Sequence, residues 1–452
     1  MESIRHRVST LIVVLGMLIA VTACGTSDPT AVPAATEAPA ATEPASQAPT
    51  AEEQAVEASG DKVLKLGILI PLSGYTARTG EEMKAAVEMA MEEANYEIGP
   101  YRVEMVWIDS QGDPGKAAQA YEQAIVQKDI DAAMLNWHSS ISVACMELSA
   151  KHKVPHFFGF GATEVVNEKY ASDPEKYSYW MGKTWPSPAK LTIAYVTALE
   201  DAIAAGQWSP EAKKVYYLGE DSDWGRSYTK ALKEQFGAAG WEMLGEDYFT
   251  RGQTEFFPLL SKVQQKGPAL VTMVADGTET MAAYAKQAKE LGLSDEALMI
   301  LDGLGWVGEW YELTGDASDY ILDLIPEFGS AESQAWAIAF EEKYGLEPSA
   351  AAAGQTYDMI RFFLKVANRA LEKHGEITSE TLYEVGQTEL WQGTLVYDEG
   401  LIHPLYKYTP ETIPDLMVGD GYFMFPVRQY YGGASEIVWP DEWATSGLRA
   451  PK

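Results

Sequence analysis

The sequence predicts an α/β protein with two doubly wound parallel-sheet lobes joined by a hinge that the chain crosses several times. Three observations carry this. Continuous apolar runs alternate with amphipathic stretches from Lys62 onward, the pattern of parallel strands covered on both faces by helices. The alternation pauses at "KTWPSP" (183–188) and then restarts. The chain has 452 residues, 46% of them hydrophobic, enough for two cores and too many for one ordinary domain.

The elements before the first strand are not part of a fold. "ESIRHR" is basic, "TLIVVLGMLIAV" is apolar but too short for a mature span, and "VTAC" places small residues before Cys24. Residues 1–23 are therefore expected to be a signal peptide. The Val21-Thr22-Ala23-Cys24 run resembles the lipobox of bacterial lipoproteins, which implies lipidation at Cys24 and anchoring of an extracytoplasmic protein to the cell membrane by lipid alone. Residues 24–61 are dominated by Ala, Pro, Thr and Glu and read as a disordered tether of about 30 Å or more.

The first lobe opens with "KVLKLGILIPL" as a strand and "GEEMKAAVEMAMEEAN" as a helix. "YRVEMVWID", "DAAMLN" and "VPHFFGF" are strands, separated by the helices "PGKAAQAYEQAIVQK" and "SISVACMELSAKHK". After the pause, "PAKLTIAYVTALEDAIAA" is helical. The strands "KKVYYLGE", "WEMLGEDYF", "ALVTMVA" and "EALMILDG" then alternate with helices through "TMAAYAKQAKELG". "YILDLIPEF" is followed by two long helices that return to the first lobe, and the Tyr- and Phe-rich end reads as short strands. The expected partition is 62–185 with 325–400 in lobe one, and 186–324 with 401–452 in lobe two.

Composition narrows function. Lys and Arg total 34 against 66 Asp and Glu, a formal net charge of -32, so nucleic acid is not an expected partner. With Cys24 lipidated, Cys145 has no disulfide partner, and its apolar neighbours mark it as a small core residue. The sequence carries no G-x-S-x-G elbow, H-E-x-x-H, C-x-x-C or Walker loop, and its six His show no metal-partner spacing. No enzyme activity, cofactor or metal is expected. "GLGWVG" (303–308) matches G-x-G-x-x-G, yet no long helix follows it, so its glycines are read as serving a tight turn or close approach to a ligand.

The stretch "LNWHSSIS" (135–142) hands a strand over to a helix. A Ser there caps free backbone N–H groups, and the same place suits an anion; both readings stand at this point. Trp137, Trp185, Trp224, Trp306 and Phe160 all fall near strand ends, where open α/β sheets bind ligands. Tyr75 lies in the first strand-to-helix loop.

An ordered set of segments resembles bacterial solute-binding proteins of the branched-chain amino acid type. The set is "LKLGILIPLSGYTARTGEEMKAAVEMAMEEAN", "WIDSQGDPGKAAQAYEQAI", "HSSISVACMELSAKHKVPHF", "YYLGEDSDWGRSYTKALKEQFGAAGWEML" and "TLVYDEG" with Gly393. The resemblance implies a type I periplasmic-binding fold that captures a small solute, as a monomer, and delivers it to the membrane subunits of an ATP-driven (ABC) importer. It implies that Ser139, Ser140, Gly161, Ala162 and Thr163 hold the solute's carboxylate or its equivalent. It also implies that the loops at Asp276-Gly277 and after "MILDG" face the cleft. The family's second-lobe tyrosine is Trp224 here. Amino-acid binders of the family carry an acid in the last loop, where this chain has Leu304, Gly305 and Trp306; Asp302 and Asp276 are the alternatives. The expected solute is therefore a branched-chain or hydrophobic amino acid, or an aromatic carboxylate or amide. The rival readings are a ligand sensor for a membrane signalling partner, an extracytoplasmic hydrolase using Ser139, and a structural lipoprotein.

Overall fold

The computed structural model describes residues 62–451. The expected signal peptide, the Cys24 lipidation site and the tether lie outside the described residues.

Two sheets organise the chain. The first has the order β2-β3-β1-β4-β5-β6. It is built from β1 (Lys62–Ile70), β2 (Glu97–Ile98), β3 (Tyr101–Asp109), β4 (Ala132–Met134), β5 (His156–Gly159) and β6 (Trp180–Lys183). Only β2 runs antiparallel to its neighbour; β1 pairs in parallel with β3, placing Leu66 beside Met105 and Ile68 beside Trp107. The second sheet has the order β13-β12-β11-β10-β9-β7-β8. Its strands are β7 (Lys214–Glu220), β8 (Glu242–Phe249), β9 (Leu270–Val274), β10 (Leu298–Asp302), β11 (Ile321–Leu324), β12 (Val427–Tyr431) and β13 (Ala434–Trp439). β7 to β11 are parallel, and the β12–β13 hairpin closes one edge antiparallel. This is the two-lobe α/β fold the alternation predicts.

Burial follows the apolar runs. Every residue of β9 and β10 is buried, as expected of central strands covered on both faces. Edge strand β8 is mostly half-buried and carries Glu242, Glu246 and Asp247, charges that discourage pairing with another chain. Local signals set helix starts: the Asp113 side chain accepts the Lys116 N–H at 2.8 Å ahead of Pro114, and Ser222 accepts the Gly225 N–H at 3.1 Å.

The chain passes between the sheets more than once. It leaves β6, runs through the helix Ile193–Ala204 and enters β7. After β11 it returns through the helices Ala331–Tyr344 and Gln355–His374; the latter packs against the helix Ala77–Glu93, and the Ile377 N–H just beyond it donates to the Tyr101 hydroxyl at 3.0 Å. The stretch from Leu401 to Val418 rests on the first sheet: Lys183 N–H donates to the Pro414 carbonyl at 2.8 Å, and the Tyr408 hydroxyl to the Lys183 carbonyl at 3.1 Å. The chain rejoins the second sheet only at Val427. A buried ion pair, Lys183 Nζ to Asp415 at 2.8 Å, ties β6 to this returning stretch, and Lys190 and Ser187 of the first crossing bind the same carboxylate. Among the described residues no helix is long and apolar enough to cross a membrane.

Candidate functional site

The carboxyl ends of the parallel strands in both sheets face one small cavity. From the first sheet, β4 leads to Trp137 and Ser139, β5 to Phe160 and Ala162, and β6 to Trp185; from the second, β7 leads to Trp224, β9 to Asp276 and β10 to Trp306. The empty volume is about 280 Å³. Trp306 is the hub, with ring centroids 5.3 Å from Trp137, 5.9 Å from Trp224 and 6.1 Å from Trp185. The Nε1–H groups of Trp224 and Trp306 are buried and lack a partner among the described residues. A buried indole N–H usually has one.

Sequence puts Trp306 there through glycine. Gly303 adopts φ 100°, a conformation that side chains resist, and a Cβ on Gly305 would lie 2.4 Å from both Ile325 and the Tyr430 hydroxyl. The Asp323 carboxylate accepts the Gly303 and Gly305 N–H groups at 2.7 and 2.8 Å, which fixes the turn. These N–H groups are thus committed within the chain, and the following helix, Trp310–Thr314, has five residues. The G-x-G-x-x-G match is a turn that presents a tryptophan, as the sequence suggests.

Ser139 begins the helix Ser139–His152. Its Oγ accepts the Thr163 N–H at 3.2 Å, which leaves its own hydrogen free for another acceptor. Gly161 permits this approach, since a Cβ there would stand 2.9 Å from the Ser139 Cα and 2.1 Å from the Ser142 Oγ. His138 does not activate Ser139: its Nε2 pairs with the Thr76 hydroxyl at 3.1 Å, and burial pulls its pKa down to about 3, with Arg251 adding to the shift. Among the described residues no group of three or more His, Cys, Asp or Glu is disposed to hold a metal ion.

Beside the cavity, Asp276 and Glu220 form a buried carboxylate pair, with the Asp276 N–H 3.4 Å from Glu220 Oε2. Burial raises both pKa values, and their mutual repulsion raises that of Asp276 further.

The sequence profile of the periplasmic binding protein family matches residues 63–399. The chain belongs to that family. It is 25% identical over 303 residues to the Leu/Ile/Val-binding protein homolog 8 of Brucella abortus, spanning 63% of this chain and 71% of the relative. Its fold is similar to that of a leucine-binding protein, LivK, from Thermotoga maritima, with a TM-score of 0.65 and 18% identity over 83% of this chain and 97% of the other. It is also similar to an ABC-transporter solute-binding protein from Rhodopseudomonas palustris solved in complex with benzoate, with a TM-score of 0.66 and 19% identity over 86% and 97% of the two chains.

In this periplasmic binding protein, Trp137, Ser139, Ala162, Trp224, Asp276 and Trp306 meet at the cavity, together with Phe160 and Trp185. The remaining sequence-predicted positions do not line it. Ser140 turns across to the second sheet, where its Oγ accepts from Arg251 Nη2 at 2.7 Å and from the Asp223 N–H at 3.3 Å. Gly161 supports from behind, and Thr163 caps the helix Glu164–Ser172 through the Val165 N–H. Tyr75 packs against Gly112, Gly252 and Gly277 with its hydroxyl buried and unpartnered, and burial raises its pKa. Gly277 gives that ring its room. Asp302 is engaged by the hydroxyls of Tyr195 and Tyr228, away from the cavity. Sequence reading missed Glu220 and Arg251. Glu220 ends a strand, a position that could have flagged it; Arg251 gave no signal.

Proposed function

We propose that this protein is an extracytoplasmic solute-binding lipoprotein, anchored through Cys24, that captures a small, mostly apolar solute between two lobes and delivers it to an ABC importer. The observation that carries this is the cavity between the two sheets, walled by five aromatic rings and bearing one free hydroxyl at a helix start. An apolar wall with few polar groups suits an apolar body with one anionic end. The start of the Ser139–His152 helix favours that anion without a formal positive charge.

We assign 62–185, 325–400 and the returning stretch 401–418 to lobe one, and 186–324 with the final hairpin to lobe two; 401–418 departs from its expected place in lobe two because it bonds to β6. Contacts now bridge them at Trp137 Nε1 to the Asp276 carbonyl (3.4 Å) and at Glu164 N–H to Ser227 Oγ (3.1 Å). Separation of the lobes admits the solute; its rings and carboxylate then replace part of the indole packing, and binding shifts the population toward the closed form. The protein acts as a monomer and does no chemistry on its cargo.

An aromatic carboxylate is the favoured solute class. A hydrophobic amino acid is the second reading, favoured by Asp276, which offers an acid to an ammonium although the loop 304–306 has none. A thermal-shift screen of the full chain against benzoate, hydroxybenzoates, phenylalanine, leucine, isoleucine, valine and benzamide tests the proposal. Stabilisation by an aromatic carboxylate is expected; no shift with any of them counts against it.

A further inference from the structure

Outside the cavity, one buried side chain joins the two halves in a way the binding reading does not use. Glu82 lies on the helix Ala77–Glu93 and is fully buried. Its Oε2 is 2.8 Å from the Ser349 N and 2.8 Å from the Ser349 Oγ, and its Oε1 is 3.4 Å from the Gly308 N. The same Ser349 Oγ lies 2.7 Å from the carbonyl oxygen of Trp306, the hub of the cavity wall, and accepts the Ala352 N–H at 2.9 Å.

The hydrogen count decides what this arrangement needs. Ser349 has one hydroxyl hydrogen and two close acceptors, Glu82 Oε2 and the Trp306 carbonyl. If Glu82 is ionised, one of those contacts sets two acceptors face to face. If Glu82 is protonated, its O–H donates to Ser349 Oγ, the Ser349 O–H donates to the Trp306 carbonyl, and every contact is satisfied. We propose that Glu82 is a positioning residue that enters the closed cleft as the neutral acid and, through Ser349, fixes the Trp306 wall, so that closure on a solute takes up a proton from solvent. The inference rests on the reading that the lobes separate to admit a solute.

Burial supports it, raising the Glu82 pKa from 4.5 to about 7 against the opposing pull of the Ser349 hydrogen bonds and Arg78. Other charged groups nearby are already engaged. Arg78 pairs with Glu309 and Glu81. On the packed helix Gln355–His374, Arg361 pairs with Glu93, while Asp358 accepts from Leu401, Ile402 and Tyr406. Glu347 lies against Gly308, its own pKa raised by burial. Asp358 is also raised to about 7, by burial, and the Asp276–Glu220 pair titrates at the cavity, so the test must isolate Glu82.

The sign follows from linkage. Taking the ordinary carboxyl value of 4.5 for Glu82 once the lobes part and about 7 in the closed form, the contribution to closure is full below 4.5, falls between the two values and is gone above about 7. Two measurements on the full chain and on Glu82→Gln, which removes the titrating group although its amide cannot both accept the Ser349 N–H and donate to the Ser349 Oγ from one atom, test this. First, infrared difference spectra of the parent chain saturated with benzoate are expected to show a protonated-carboxyl band that titrates near neutrality, that titrates lower without solute, and that is missing in Glu82→Gln. Second, benzoate calorimetry in buffers of different ionisation enthalpy is expected to show uptake of about 0.9 proton at pH 6 and under about 0.1 at pH 8 from this group. Affinity is expected to fall about sevenfold from pH 5.5 to 6.5. Glu82→Gln is expected to lose that component, and Glu82→Ala to bind more weakly at every pH. Identical infrared titrations in the two chains, or an unchanged proton uptake in Glu82→Gln, overturn the inference. Failure of benzoate to bind at any pH counts against the aromatic-carboxylate reading instead, and the infrared titration with the solute that the thermal-shift screen selects then decides the role of Glu82.

Discussion

Replacing Ser139 by Ala separates its two duties. The residue is 2% exposed, and its Oγ accepts the Thr163 N–H at 3.2 Å while its hydrogen remains available to a solute. Removing the oxygen orphans the Thr163 N–H whether or not solute is present, which costs stability of about 1–3 kcal/mol. It also removes the hydroxyl that pairs with the solute's anionic oxygen. That second loss appears only in the complex and is worth about 1–3 kcal/mol, or roughly 5- to 150-fold in affinity. Urea unfolding without solute reads the first, and calorimetry with the best solute from the thermal-shift screen reads the second. Affinity unchanged within about twofold, with stability lowered, would show that Ser139 only caps and braces, and would refute its role in binding.

Three further outcomes follow from the same geometry. Trp306→Ala removes a ring that touches three other indoles and should cost about 3–5 kcal/mol in chemical denaturation and abolish solute-induced stabilisation. Gly161→Ala places a methyl 2.9 Å from the Ser139 Cα, so the helix start must shift; affinity measured by calorimetry should fall at least as far as in Ser139→Ala. The Asp276 pKa is raised above 3.8, so its contribution to stability is full below that value and is lost as pH rises through the raised one. Asp276→Asn should therefore melt higher than the parent chain at pH 8 and show no such gain at pH 3.5.

Much of this was legible in the sequence for identifiable reasons. β3 coincides with "YRVEMVWID", because a run bounded by Pro100 and the Ser-Gln-Gly turn can be little else. The aromatic wall was legible because strand ends in parallel sheets converge on ligands, and five rings fell at such ends. β6 was missed: "WMGK" is short, contains Gly182 and follows a Pro- and Asp-bearing stretch, so it reads as part of the pause. The sequence also offered Ser140 beside Ser139. Successive helical residues point about 100° apart, so only one faces the cavity while the other reaches Arg251. Glu82 and Ser349 are 267 positions apart, and nothing local in either signals the other.

The most direct test of the central claim is a crystal structure of the chain grown with the solute that the screen selects. The account predicts solute density between Trp137 and Trp185 on one side and Trp224 and Trp306 on the other, with the anionic end within hydrogen-bond distance of Ser139 Oγ. Density at another site, or an unaltered indole cluster with no solute between the sheets, would contradict it.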